Sequence, residues 1–234
     1  IEALKNFRNN FKTKAALLND QTYLNDSLGR FNKIKSLSLF NLYHKLSSYI
    51  ELRVLRMSSE SFVGNNICYN YRGQRLSHRV LRHAYYASQI LRNTSLSEDD
   101  QNIFMDLGGG YGGLSRILKN IYTKSTMVII EIPEVCLMAN YFLKKNFHNC
   151  KVASIKDFID KTKITSDDLK AYDFVILPQP FIELFEDNTF ELIINTTSLG
   201  EMADDMQNFY LDHIERTSSK YFYSINRAEK RKDK

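Results

Sequence analysis

Five of the nine glycines in this chain fall within six consecutive positions, Gly108 to Gly113, in the stretch IFMDLGGGYGGLSRIL. Glycine loses more backbone freedom on folding than any other residue, so such a cluster marks a sharp turn or a close approach to a ligand. Gly108, Gly110 and Gly113 have the spacing G-x-G-x-x-G, shared by loops that hold dinucleotides and loops that hold S-adenosylmethionine. The context suits either ligand: a strand-like run precedes the glycines and a helical pattern follows. Glu131 stands twenty-one residues beyond Gly110, at the end of the next apolar run, MVIIEI. A carboxylate there accepts both ribose hydroxyls of an adenosine.

Asp106, two residues before the first glycine, separates the two ligands. A dinucleotide lays a pyrophosphate over this loop, at a helix N-terminus. A carboxylate aimed at the same place repels it. S-adenosylmethionine brings an ammonium, a sulfonium and a single carboxylate, and tolerates an acid at the strand tip. The plainer alternative is that Asp106 only bonds nearby backbone amides.

The elements that must position these residues follow from the spacing of apolar side chains. Residues 1–100 read as an all-helical N-terminal extension. Leu39, Leu42, Leu46, Ile50 and Val54 recur at three and four, as do Leu76, Val80, Leu81, Ala84, Ala87 and Leu91. The stretch between, SSESFVGNNICYNYRG, reads as a loop, and Ser97 with Asp100 as a helix cap or a turn. From residue 101 onward, strand-like runs (IFMDL, MVIIEI, YDFVILP, ELIINTT, KYFYSIN) alternate with helical ones (LSRILKNIY, EVCLMANYFLKKNF, SLGEMADDMQNFYLDHIERT). That alternation predicts an α/β domain, 101–234, of right-handed β-α-β units around a parallel sheet. KVASI is a possible extra strand, residues 154–171 read as an insertion, and RAEKRKDK as a solvated tail.

DLGGGYGGLSRIL, IEIPEV and LPQPFIELFEDNTFELIINTTSLGEM together resemble the sugar O-methyltransferases of bacterial glycan and natural-product pathways. Upstream, FVGNN with LSHRVLRHAYYASQIL resembles the lead-in segment of that family, so the likeness covers about residues 60–227. It implies a Rossmann-like methyltransferase fold with strand order 3-2-1-4-5, S-adenosylmethionine as methyl donor and a sugar hydroxyl as acceptor; the partner expected is a sugar, a sugar phosphate or a nucleotide sugar. The cofactor contacts it implies are Asp106, Gly108, Gly110, Gly112, Glu131, Ile132, Gln179 (at the adenine edge) and Asn195. Two further strands usually follow the fifth in this fold; here the chain stops after KYFYSIN and its tail, so either the C-terminal part is missing or another chain, as in a homodimer, covers that edge. An NAD-dependent oxidoreductase and a non-catalytic cofactor-binding subunit remain the competing readings.

Methylation of an alcohol needs a base for the departing proton. Glu201 follows the fourth strand by one turn and is the leading candidate, although Ser198 and Glu201 also have the spacing of a capping box. His213 is the second candidate, with a packing role as its plainer reading. Asp204 and Asp205 suit the start of a helix, and no metal site is expected. Residues 61–97 hold Arg72, Arg75, Arg79, Arg82, Arg92, His78 and His83 but no Asp or Glu. Arg79, Arg82 and His83 are candidates for an acceptor phosphate, since Arg binds phosphate in bidentate fashion; the alternative is a solvated basic face. The first hundred residues carry fifteen Lys and Arg against eight Asp and Glu. That basic stretch is short and lacks a recognition motif, so nucleic acid is not an expected partner. Three cysteines without C-x-x-C spacing predict reduced thiols in a cytoplasmic protein. No apolar run reaches the length of a membrane span, and the start, IEALKNFRNNFKTK, lacks the apolar core of a signal peptide.

Overall fold

The computed structural model describes residues 29–64, 68–71 and 73–226. The expected helical start, Arg72, part of the FVGNN segment and the RAEKRKDK tail lie outside the described residues. The chain divides between Asn93 and Thr94 into two compact units.

The N-terminal unit holds α1 (Gly29–Leu46), α2 (Leu52–Met57), a hairpin of β1 (Tyr69–Tyr71) and β2 (Gln74–Leu76), and α3 (His78–Asn93). It is therefore not all helical. The segment read as a loop contains the hairpin, with Gly73 at φ +77° in its turn. Leu76 belongs to β2, not to the following helix. Strands of three residues are too short to show a period of two. Ser77 starts α3, its hydroxyl accepting the Val80 amide at 3.1 Å. Val80, Leu81, Ala84, Ala87 and Ile90 make the buried face of α3. The long apolar stripe from Leu39 to Val54 is divided: α1 stops at Leu46, and Ile50 and Val54 are buried from a turn and from α2. No helix among the described residues is long and apolar enough to cross a membrane.

The C-terminal unit is a doubly wound α/β domain. Its strands are β3 (Ile103–Leu107), β4 (Thr126–Glu131), β5 (Val152–Ala153), β6 (Phe174–Pro178), β7 (Phe190–Thr196) and β8 (Ser218–Ile225). They form one parallel sheet in the order β5-β6-β4-β3-β7-β8. With β3 as the first strand this is the expected 3-2-1-4-5 order, and KVASI supplies β5 at the outer edge. β3 and β6 are buried at every residue, as strands covered on both faces must be. The covering helices are α4 (Gly113–Ile121), α5 (Pro133–Asn146), α6 (Ser166–Lys170) and α7 (Asp204–Thr217). α6 opens the second half of the expected insertion, with Thr165 and Asp168 as a capping box. One core cluster joins Met105, Leu107, Val128, Ile130, Val175, Leu177 and Ile193 to Tyr210 and Ile214 of α7. The edge of the sheet opposite the glycines is fastened by Lys119, which is 5% exposed. Its ammonium donates to Ser125 O at 2.6 Å and lies 2.8 Å from Asp173 Oδ1.

Candidate functional site

The site forms where β3, β4, β6 and β7 end, the edge at which open α/β sheets hold ligands on either side of the strand where the order reverses. β3 is that strand: its successor β4 lies on one side and β7 on the other. The chain leaves β3 through three left-handed glycines, Gly108 (φ +71°), Gly110 (φ +58°) and Gly112 (φ +86°). L-residues with a side chain avoid this conformation, which explains the concentration of glycine.

The glycines do different work. The Gly108 amide donates to Ile130 O at 2.9 Å, and a Cβ on Gly108 would lie 2.5 Å from Ser198 Cβ. A Cβ on Gly109 would lie 2.7 Å from Asp106 Cγ, and one on Gly112 would lie 3.0 Å from Leu143 Cδ1 of α5. Gly108, Gly109 and Gly112 are therefore required by the protein's own packing. At Gly110 a Cβ would meet nothing within 4 Å. Of these four glycines, Gly110 alone faces open space.

Glu131, the last residue of β4, borders that space. Its Oε1 accepts the Gly110 amide at 2.9 Å and its Oε2 accepts the Ile132 amide at 2.9 Å. The carboxylate thus fixes the loop while its remaining lone pairs stay available at the strand tip. Ile132 beside it is 43% exposed, an apolar surface at the first turn of α5. Gln179 is half-buried and opens the short 3-10 turn Gln179–Leu184 that follows β6. β6 pairs with β4 up to Glu131 and Pro178, which brings Gln179 to the same edge as Ile132.

Asp106 departs from the picture of a carboxylate standing over the loop. It lies beneath Gly109 and is only 3% exposed. Its Oδ2 accepts the Ser115 hydroxyl at 2.7 Å, whereas its Oδ1 is buried with no hydrogen-bond partner among the described residues. Burial pushes the carboxyl up to about 6; the Ser115 hydrogen bond opposes this and the Glu131 charge adds to it. A buried, half-satisfied acid below a glycine loop is a standing attraction for a cation above it.

Asn195 was expected among the cofactor contacts. The structure places it fully buried, at 0% exposure, with its amide engaged inside the protein. Its Nδ2 donates to Leu107 O at 2.8 Å and to Ser198 Oγ at 2.5 Å, and its Oδ1 accepts the Leu199 and Asn226 amides at 3.3 and 2.9 Å. Its place is architectural: it ties the end of β7 to the end of β3.

Glu201 ends a 3-10 turn, Leu199–Glu201, and is exposed at the same edge of the sheet. The expected helix begins only at Asp204. The capping box does not form, because the Ser198 hydroxyl turns instead to Leu107 O at 3.2 Å. His213 is brought elsewhere. α7 runs back toward the opposite edge of the sheet, and ten residues of helix at 1.5 Å each carry His213 about 15 Å from Ala203. There its ring packs on Phe209 with centroids 4.6 Å apart, and its Nδ1 lies 3.2 Å from Arg216 Nη2. Burial first, and the Arg216 charge second, hold its pKa below the usual histidine range. The ring thus takes the packing role that was its plainer reading. Arg79, Arg82 and His83 lie on α3, in the N-terminal unit, Arg82 exposed and the other two half-buried.

Sequence reasoning missed Ser115 and Asn226, partners of Asp106 and Asn195, and gave Ser198 a different partner.

No protein-family model and no curated protein matches the chain. Several solved structures are similar to it. One is a SAM-dependent methyltransferase from Aquifex aeolicus, 16% identical over 63% of this chain and 68% of that one, with a TM-score of 0.42. Another is the mitomycin 7-O-methyltransferase MmcR, 17% identical over 80% of this chain and 50% of that one, with a TM-score of 0.39. A third is the geranyl diphosphate C-methyltransferase from Streptomyces coelicolor A3(2), 11% identical over 64% of this chain and 45% of that one, with a TM-score of 0.42. The chain spans about half the length of the first structures it matches.

Proposed function

We propose that the C-terminal unit binds S-adenosylmethionine at the Gly108–Gly113 loop and transfers its methyl group to a sugar hydroxyl. The observation that carries the cofactor reading is the open, left-handed Gly110 flanked by the Glu131 carboxylate, above a buried acid whose Oδ1 is unpaired. Those residues fit an adenosine joined to a cationic amino-acid tail. Glu131 would hold the ribose hydroxyls, Ile132 and Gln179 the adenine, and Asp106 would balance the positive tail from beneath Gly109. A pyrophosphate in the same place would meet two carboxylates, which disfavours NAD.

When bound, the cofactor supplies a methyl group on a sulfonium, open to in-line displacement by an acceptor oxygen. The protein's part is alignment and proton removal. Holding both reactants at the strand ends replaces a bimolecular encounter. Glu201, exposed on the turn after β7, would take the hydroxyl proton. The sugar as acceptor rests on the resemblance of LPQPFIELFEDNTFELIINTTSLGEM; Arg79, Arg82 and His83, in the N-terminal unit, are by themselves candidates for holding a phosphate. A cytoplasmic site of action and a homodimer belong to the same reading.

Thermal melts with S-adenosylhomocysteine and with NAD test the cofactor. A ligand at a hundred times its dissociation constant raises stability by about 2.7 kcal/mol. Stabilisation by NAD alone would overturn the assignment. Methyl transfer to a panel of sugar phosphates and nucleotide sugars tests the acceptor, and transfer to none of them, with other alcohols accepted, would remove the sugar.

A further inference from the structure

Thr197 has φ +68°, a left-handed backbone that β-branched residues rarely adopt. Such strain persists only where the surroundings over-determine it, and it gathers at functional sites. Here the surroundings are explicit. The Thr197 amide donates to Ile225 O, at the end of β8, at 2.7 Å. The Ser198 hydroxyl donates to Leu107 O, at the end of β3, and receives Asn195 Nδ2. Asn226 closes the circuit: its Nδ2 donates to Asn195 Oδ1 at 2.9 Å and to Ser224 Oγ at 2.8 Å, and its Oδ1 accepts the Gly200 amide at 3.1 Å.

Residues 196–201 are thus held from β8 on one side and from β3 on the other. On the β3 side the holding residue, Ser198, packs directly against Gly108, since a Cβ on that glycine would collide with it. One continuous path of contacts and hydrogen bonds runs Gly108–Ser198–Asn195–Asn226–Gly200. It starts in the glycine loop and ends in the backbone of the turn that carries Glu201.

We propose that Ser198 and Asn226 form a clamp that couples the glycine loop to the residue 196–201 turn, so that filling the cofactor site orders the acceptor-facing turn. The proposal rests on the cofactor reading above. Both are positioning residues, acting through the turn's backbone. The Gly200–Asn226 bond lies at the end of an edge strand, where local opening needs little free energy. Restraint applied at Gly108 is therefore readable there.

Amide hydrogen exchange on the full chain, with and without saturating S-adenosylhomocysteine, tests this. In the wild type, exchange of the Leu199–Glu201 amides should slow by about fivefold or more on binding, the lower bound for coupled sites. Asn226→Ala and Ser198→Ala should each still bind the probe and lose that slowing. Should Asn226→Ala fail to fold, Ser198→Ala, which deletes one hydroxyl, carries the comparison. Probe binding without slowing in the wild type, or equal slowing in the folded variants, overturns the clamp. If the probe does not bind at all, the cofactor reading falls, and the clamp is then decided on the ligand-free chain. There the Gly200 amide must exchange faster in each folded variant than in wild type, and equal rates overturn it.

Discussion

Replacing Asp106 by Asn should make the ligand-free protein more stable at neutral pH while weakening its hold on S-adenosylhomocysteine. The carboxyl is buried and its pKa is pushed up to about 6 from 3.8. The folded state therefore binds the proton more tightly than the unfolded state does. Stability falls as pH rises through the interval between those values, and the cost is complete above about pH 6. Two units at 1.36 kcal/mol each give a cost of about 3 kcal/mol. Asparagine keeps an acceptor for Ser115 and carries no charge, so that cost disappears. At pH 7.5 the variant should melt about 6 to 12 °C above wild type, taking 2–4 °C per kcal/mol for a chain of this size. The gap should narrow to a small remainder as pH falls to 4, where wild-type Asp106 is protonated in the folded state and about half protonated when unfolded. Added S-adenosylhomocysteine should raise the wild-type melting temperature more than that of the variant, because its ammonium offsets the buried charge. Thermal melts from about pH 4 to pH 8, with and without the ligand, measure all of this. A melting gap that does not change with pH, or a variant less stable at pH 7.5, would refute the account of Asp106 as a half-satisfied buried acid.

The two ends of the glycine loop should respond differently to a side chain. Gly108→Ala should cost about 2 to 5 kcal/mol, from left-handed strain and the collision with Ser198, seen as a lowered melting temperature. Gly110→Val should cost only about 1 to 2 kcal/mol of strain yet abolish S-adenosylhomocysteine binding by calorimetry; unchanged affinity would make the loop purely structural. Glu201→Gln should cut kcat by about 10² to 10⁴ with little change in melting temperature, and a fully active variant would exclude Glu201 as the base. Lys119→Met should destabilise by about 1 to 3 kcal/mol at neutral pH, since Ser125 O loses its donor and Asp173 its partner. Burial raises the Asp173 pKa, but the Lys119 hydrogen bond and the Lys151 amide outweigh it and hold the carboxyl below its usual value. Stability from that pair is therefore present above the ordinary carboxylate range and lost below it, so the penalty of Lys119→Met should shrink in acid urea titrations.

That residues 101–234 build a parallel sheet was legible in the sequence because β3, β4 and β6 are short apolar runs buried almost throughout and helical periods separate most of the strands; the strand order came from the family resemblance. The meeting of Gly110 and Glu131 was legible for a similar reason: local spacing places them one at each of two neighbouring strand tips. Other features depend on contacts between distant residues or on elements too short to leave a period. The three-residue strands of the hairpin left no alternation to read, so a loop was expected there. Ser198 and Glu201 have the spacing of a capping box, but Leu107, ninety-one residues earlier in the chain, takes the serine hydroxyl. Asp106 reads as an acid at a strand tip; only packing under Gly109 and against Ser115 buries it and raises its pKa. His213 shares α7 with the acidic turn near the site, and the direction of the helix carries it away. Spacing along the chain determines which residues a strand or helix presents at its end. Which partner a polar group finds there depends on chain segments brought together only when the sheet closes, and that the tertiary structure alone decided.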